Sequence, residues 1–170
     1  MTVTLRRPTE ADGPALVAAH RAGRDLHLPW IQPFTDAAGF DEWRERALTG
    51  NTLGLVIQAA EGIAGIVNVS NIVLGPFRNA TLGYWAMPGM TGRGHLTAGV
   101  RLAATLAFTE LRLHRLEANI QPGNAPSLAV ARRAGFRKEG FSPRMLHIAG
   151  AWRDHERWAR LADDPAPADG

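Results

Sequence analysis

The sequence predicts an α+β domain with a mixed, mostly antiparallel sheet, and three observations support that prediction. Apolar residues make up 45% of the 170-residue chain, which is enough for one hydrophobic core. Runs of β-branched and apolar residues follow one another as a meander, without a helix between each pair. Helical periodicity occupies separate segments before and after that meander. A doubly wound sheet needs regular alternation of strands and helices, so this order excludes it.

The N-terminal part predicts one strand and two helices. Residues 5–9 suit a short strand, and residues 10–23 have helical character. Residues 36–48 predict a second helix because their apolar side chains recur at helical spacing. Between the helices, residues 26–34 contain two prolines and two aromatic residues and predict an ordered loop.

The middle of the chain predicts a three-stranded meander followed by a helix. Residues 53–75 form a hairpin pattern, with two apolar runs flanking the turn signal Glu61-Gly62. Residues 80–87 add a third strand. A long amphipathic helix is predicted over residues 94–111 and another strand over residues 113–120.

The C-terminal part predicts a capped helix and a second hairpin. Asn124 is a suitable N-cap, and Gly135 is suited to end the helix in a left-handed conformation. Residues 136–148 and 151–161 follow as paired strands. About seven strands and four helices therefore form a single domain over residues 1–162, and the proline-rich residues 163–170 predict a disordered tail.

Composition excludes several classes of protein and site. The net charge is only +3 and the arginines are dispersed, so no nucleic-acid surface is expected. No apolar run is long enough to span a bilayer and no signal peptide is evident, which predicts a cytoplasmic protein without membrane contact. The chain has no cysteine for disulfides or an acyl-enzyme. The histidine spacings predict no metal site.

A glycine-rich turn between a strand and a helix, GMTGRGHLT, is typical of phosphate binding. It has P-loop glycine spacing, but His95 and Leu96 stand where lysine and a hydroxyl residue are required. A dinucleotide fingerprint fails because Thr97 replaces the third glycine. A pyrophosphate held by backbone N–H groups at the helix start needs neither lysine nor Mg²⁺. A structural turn without a ligand is the alternative.

Four stretches of the sequence resemble the GNAT acetyltransferase superfamily. The turn is similar to that superfamily's Q/R-x-x-G-x-G/A loop, although Thr91 and Leu96 depart from the pattern. NAPSLAVARRAGF, residues 124–136, resembles the segment whose asparagine touches the pantetheine arm. NVSNIVLGPFRNATLGYW and RMLHIAGAWRDHERWARL resemble the ribosomal-protein-alanine N-acetyltransferases, in the same order along the chain.

The resemblance implies a GNAT fold, with a splay between two central strands, and acetyl-CoA as co-substrate without a metal. It assigns cofactor binding to backbone and side-chain groups along the strand, the turn and the second helix: Trp85, Ala86, Met87, Thr91, Gly92, Arg93, Gly94, His95, Leu96, Thr97, Asn124 and Ser127. A backbone N–H of Ala86 or Met87 is expected to polarise the acetyl carbonyl. Relatives often form homodimers, but the sequence leaves the oligomeric state of this chain open.

The expected reaction is direct attack of an amine on the thioester. Glu117 is the candidate base, with pairing to Arg115 as the structural alternative. Ser127 is the candidate acid for the departing thiolate, because Ala131 stands where some relatives carry a tyrosine; helix capping is its alternative role. His27, Trp30 and Tyr84 are expected at the acceptor site, although His27 and Trp30 could equally be packing anchors.

The resemblance to the ribosomal-protein enzymes favours a protein N-terminal α-amine as acceptor. A small-molecule amine, such as a polyamine, an amino acid or an antibiotic, is the alternative substrate. A non-catalytic acyl-CoA-binding domain is the alternative outside the enzymes, because the helix tyrosine is missing and both ends of the turn are altered. A nucleotide-binding domain would be stabilised by NAD or ATP but not by CoA.

Overall fold

The computed structural model describes residues 2–167. Within that range it has seven strands and five helices, and a 3-10 turn at Glu10–Asp12 precedes the first helix. The strands are β1 Val3–Arg6, β2 Leu53–Ala59, β3 Gly62–Val73, β4 Asn79–Ala86, β5 Arg115–Ile120, β6 Arg137–Ile148 and β7 Ala151–Leu161. The helices are α1 Gly13–Ala22, α2 Arg24–His27, α3 Ala37–Leu48, α4 His95–Thr109 and α5 Ala125–Arg133. Four helices match the predicted ones, and α2 is an additional single turn.

The strands lie in one sheet in the order β1-β2-β3-β4-β5-β7-β6. Neighbouring strands are antiparallel except β4 and β5, which run parallel. The pairing of β4 with β5 covers residues 79–81 against residues 115–117 and then stops, although β4 continues to Ala86 and β5 to Ile120. The two central strands therefore diverge, and the predicted α+β fold with a central splay is confirmed.

The hydrophobic core fills both faces of the sheet because the central strands are apolar on both. Leu55 and Ile57 of β2 pack in the cluster that contains α4, whereas Val56 packs with α1 and α3. This alternation follows from the two-residue period of a strand. Gly99 brings α4 close to β2, since a Cβ there would lie 2.5 Å from the Ile57 side chain. The helices thus cover the sheet on both faces, with α4 on one face and α1 and α3 on the other.

The first strand lies earlier than residues 5–9, which corrects the predicted position. The backbone N–H of Thr9 donates to Asp12 Oδ2 at 2.8 Å, as part of the turn that starts the first helical segment. Pro8 has no N–H to donate to a neighbouring strand. The chain therefore leaves the sheet after Arg6, and the Arg6 side chain pairs with the Asp12 carboxylate at 2.7 Å.

The segment after β7 remains in contact with the domain as far as the structure describes it. Asp164 accepts hydrogen bonds from the Leu161 backbone N–H at 2.7 Å and from the Arg137 guanidinium at 2.6 Å. The predicted tail covered residues 163–170, of which residues 168–170 lie outside the described residues. The domain limits of 1–162 stay a prediction. None of the helices within residues 2–167 has the length and apolar character needed to cross a bilayer.

Candidate functional site

The glycine turn before α4 takes a conformation that favours glycine. Gly92 and Gly94 have φ values of +74° and +79°, in the left-handed region. Gly94 is the N-cap of α4, which begins at His95. A Cβ added to Gly92 would meet no atom within 4 Å, so its surroundings are open. The free N–H groups of the first helical turn and the open approach at Gly92 fit an anionic group such as a pyrophosphate.

The end of β4 has one open backbone edge. The Met87 N–H donates to the Ala64 carbonyl at 2.9 Å, so it belongs to the pairing with β3. Hydrogen-bonding direction alternates along an antiparallel strand, and Ala86 therefore directs its N–H away from β3, toward the splay. Of the two N–H groups expected to polarise the acetyl carbonyl, Met87 is thus corrected to a sheet-pairing role. Ala86 remains available.

The start of α5 forms the opposite wall and carries the predicted serine. The Asn124 side chain accepts from the Ser127 backbone N–H at 3.3 Å and caps the helix. Ser127 Oγ donates to Tyr84 Oη at 3.2 Å, while Tyr84 Oη donates to the Ser127 carbonyl at 3.0 Å. Burial raises the pKa of Tyr84 to about 12, so its hydroxyl stays protonated. Ala131 is fully buried in the core.

The splay, the glycine turn and the two helix starts enclose a cavity of about 420 Å³. Predicted site residues that line it are Trp85, Ala86, Thr91, Gly92, Gly94, Leu96, Thr97, Asn124, Ser127, His27, Trp30 and Tyr84. Asp25, Ile31 and Arg133 are among the lining residues that the sequence did not indicate. The structure therefore brings together most of the expected cofactor residues and all three expected acceptor residues.

A segment after α1 closes the cavity between the diverging strands. His27 Nε2 donates to the Ala86 carbonyl at 3.0 Å, at the end of β4. Gln121, just beyond β5, donates from Nε2 to the carbonyls of Pro29 at 3.2 Å and Trp30 at 3.4 Å. One segment is therefore tied to both strands of the splay. Sequence spacing gave no signal for Gln121, because its partners lie about ninety residues away.

His20 supports this wall from behind. Its Nε2 accepts from the Trp85 indole N–H at 2.9 Å, and its Nδ1 lies 2.9 Å from the Phe34 carbonyl. An indole N–H only donates and a carbonyl only accepts, so the proton must be on Nδ1. Burial lowers the pKa of His20 to about 4, despite the opposing bond to Phe34. His20 is therefore a neutral residue of α1 that forms hydrogen bonds to Phe34, in the segment after α2, and to Trp85 of β4.

Asp25 supplies a carboxylate to the cavity lining, which also includes His27 and Trp30. Its side chain is exposed, and within residues 2–167 it has no hydrogen-bond or ion-pair partner. Arg133 lies at the end of α5 and gives the lining a positive group as well. Asp25 lies in α2, the helical turn that the sequence reading missed. An unpaired carboxylate in this position is free to attract a cationic amine.

The cavity lining leaves out four predicted residues: Met87, Glu117, Arg93 and His95. Glu117 accepts from Arg115 Nε at 2.7 Å, and Arg115 also pairs with Glu139. The glutamate therefore makes the ion pair that is the alternative to a catalytic role. The base assignment to Glu117 stays a prediction, and this carboxylate lies outside the cavity lining. Arg93 and His95 both approach Glu61, with N···O distances of 4.0 and 3.9 Å. Neither distance is short enough for a hydrogen bond, and the assignment of Arg93 and His95 to phosphate binding stays a prediction.

A protein-family model covers most of the chain. The model of the acetyltransferase (GNAT) domain matches residues 2–137. The chain is 37% identical over 111 residues to the probable N-acetyltransferase YjcK of Bacillus subtilis, covering 65% of this chain and 61% of that protein. It is 34% identical over 114 residues to the ribosomal protein uS5-alanine N-acetyltransferase of Escherichia coli, covering 67% and 59%. The match thus spans about three-fifths of these curated relatives.

Solved structures agree with the family match. Mycobacterium smegmatis RimJ in complex with CoA-disulfide superposes with a TM-score of 0.88 at 32% identity, covering 95% of this chain and 82% of that one. The ribosomal-protein-S5-alanine acetyltransferase of Vibrio fischeri gives a TM-score of 0.83 at 27% identity, covering 96% and 95%. With the glycine turn, the splay and the capped α5 all in place, this chain belongs to the acetyltransferase (GNAT) domain family.

Proposed function

We propose that the protein transfers the acetyl group of acetyl-CoA to an amine by direct attack in a ternary complex. The observation that carries this proposal is the splay, where the Ala86 N–H is open toward a cavity that continues to the glycine turn. Family membership and the CoA-bound relative support acetyl-CoA as the co-substrate.

The cofactor end of the cavity works through backbone groups. The N–H groups around Gly92, Gly94 and the first turn of α4 bind the pyrophosphate, assisted by the positive end of the helix dipole. The pantetheine arm lies along the open edge of β4 as an added strand would. The Ala86 N–H then donates to the thioester carbonyl as negative charge develops on its oxygen. Ser127 is aimed at the departing sulfur from the opposite wall.

The acceptor end must provide a neutral amine. A protein α-amine with a pKa near 8 is about one-tenth neutral at pH 7, whereas a lysine near 10.4 is neutral at only about 0.04%. That difference favours an α-amine by roughly 3 kcal/mol in a site without a strong base. Glu117 is held by Arg115, so the proton leaves to water or through water to Asp25.

We further propose that the acceptor is a protein N-terminus, in the first instance that of a ribosomal protein. The Escherichia coli and Vibrio fischeri relatives are named for ribosomal-protein alanine acetylation, which supports this choice. A small-molecule amine is the second candidate, favoured by the free carboxylate of Asp25, which would also attract a polyamine.

Ligand-dependent thermal unfolding tests the cofactor, and an acceptor panel tests the reaction. At 100 times its Kd, acetyl-CoA should add about 2.7 kcal/mol to the free energy of unfolding. NAD and ATP should add nothing. The panel contains an alanine-initiated peptide, the same peptide with a blocked N-terminus, and spermidine, with CoA release as the readout. Turnover of the free peptide alone supports the proposal, turnover of spermidine alone overturns the α-amine assignment, and CoA binding without any turnover overturns the enzymatic one.

A further inference from the structure

The only tyrosine in the chain forms a hydroxyl pair with the predicted acid, from the opposite wall of the cavity. Tyr84 comes from β4 and Ser127 from the first turn of α5. Tyr84 Oη lies 3.0 Å from the Ser127 carbonyl oxygen and 3.2 Å from Ser127 Oγ. The tyrosine hydroxyl therefore has two acceptors on the same residue within hydrogen-bonding distance.

In the structure, the hydrogen bond between the Tyr84 and Ser127 hydroxyl groups has one of its two possible donor directions. The Tyr84 proton points to the Ser127 carbonyl, and the Ser127 proton points to Tyr84 Oη. A negative sulfur in the cavity would attract the Ser127 proton, because a hydroxyl donates to only one acceptor at a time. Ser127 Oγ would then accept the Tyr84 proton without any movement of the oxygen atoms. Such a chain of hydroxyl donors strengthens its terminal hydrogen bond.

We propose that Tyr84 is a positioning residue that acts through Ser127: it turns its hydroxyl onto Ser127 Oγ when Ser127 donates to the departing thiolate. The inference rests on the proposed acetyl transfer. As the new N–C bond forms, the C–S bond breaks and the sulfur keeps the electron pair. Ser127 stabilises that charge by a hydrogen bond, and the amine proton leaves to water. No proton has to be lost from Tyr84.

The surrounding structure explains why this task falls to a residue of β4. Ala131, one turn after Ser127 on α5, is fully buried against the core and carries no hydroxyl group. Asn124 fixes the backbone of Ser127 through the helix cap, but it does not set the direction of the hydroxyl. Tyr84 is the described residue that contacts both oxygens of Ser127.

The test measures the thiol pKa of CoA bound to the protein, by ultraviolet absorbance of the thiolate during a pH titration. A hydrogen bond to the charged form lowers a pKa, so both Tyr84→Phe and Ser127→Ala should raise the bound thiol pKa. We expect about one unit for Ser127→Ala, since a hydrogen bond to a charged group corresponds to a tenfold or larger change. Tyr84→Phe should give a smaller shift, and the double variant should equal Ser127→Ala. Ser127→Thr, which keeps a hydroxyl, should restore most of the wild-type value.

The same variants should lower kcat for any amine that the wild type acetylates, with little change in the KM for acetyl-CoA. A thiol pKa in Tyr84→Phe equal to the wild-type value overturns the inference, and so do additive shifts in the double variant. Loss of CoA binding in Tyr84→Phe also overturns it, because the tyrosine would then hold the cofactor site rather than orient Ser127. The titration needs no acceptor, so a wrong acceptor assignment leaves this result standing.

Discussion

The two ends of the cavity are built from different kinds of structure. The proposed cofactor end consists of backbone groups: the glycine turn, the first turn of α4 and the open edge of β4. The proposed acceptor end is a short segment after α1 that long-range hydrogen bonds of His27 and Gln121 hold in place. Backbone groups close in sequence are enough to bind the cofactor as proposed, whereas the proposed acceptor end depends on side chains that only folding brings together. The variants below separate these two contributions.

Protonation of His20 should loosen the acceptor end more than any other single change. The pKa of this histidine is lowered from 6.5 to about 4, mainly by burial. Between those values the unfolded chain binds a proton and the folded protein does not, so stability falls as pH decreases through that window. The slope should approach 1.4 kcal/mol per pH unit. Urea unfolding at pH 7 and pH 5 measures it.

His20→Gln should be less stable at pH 7 but should have a flatter pH profile. The exposed His114, changed to glutamine in the same way, is the matched control and should keep the wild-type slope. Asp12, whose pKa is lowered to about 2 by its bond to Arg6, contributes stability that is lost only below about pH 3.8. Parallel profiles for wild type and His20→Gln would assign the slope to other groups.

Gly92→Ala should weaken CoA binding by roughly tenfold or more, corresponding to at least 1.4 kcal/mol. Gly89→Ala is the matched control. Both glycines have φ near +75° and open surroundings, so both substitutions carry the same backbone strain of about 1 kcal/mol. Only Gly92 lines the cavity, where its Cβ would occupy the approach of the pyrophosphate. Calorimetric titration with CoA measures the difference, and equal affinities for the two variants would place the phosphate elsewhere.

The same contrast governs what the sequence could predict. Strand periodicity places Leu55 and Val56 on opposite faces, and glycine spacing identifies the turn before α4, because these signals are local. Strand spacing offered two roles for Glu117, that of a base and that of a partner of Arg115, and only the folded structure shows that these two side chains meet at 2.7 Å. Gln121 could not be found, since its function depends on carbonyl groups brought near only by folding.

Gln121→Ala should raise the acceptor KM by about fivefold, since loss of a neutral hydrogen bond corresponds to roughly 1 kcal/mol. The carbonyls of Pro29 and Trp30 lose their donor, and the segment that carries His27 and Trp30 loses its tie to β5. The Kd for CoA should not change. Gln58→Ala is the matched control, because it removes a partly buried glutamine bonded to Ala59 and Arg6, outside the cavity lining. Steady-state kinetics with the acceptor varied distinguish them, and equal effects on CoA affinity and acceptor KM would contradict a divided cavity.

Asp25→Asn should have the smallest effect, and it tests whether the two ends of the cavity differ in how they attract their ligands. The exposed carboxylate attracts a cationic acceptor by about 0.2 to 1 kcal/mol, so kcat/KM should fall by a factor of about 1.4 to 5 at low salt. The loss should shrink as ionic strength rises, because salt screens exposed charges. Asp41→Asn removes an equally exposed carboxylate on α3, outside the cavity lining, and should leave kcat/KM unchanged. If both variants lose the same activity, the attraction of the acceptor comes from the net charge of the protein. If only Asp25→Asn loses activity, the attraction comes from the carboxylate of Asp25 in the cavity lining.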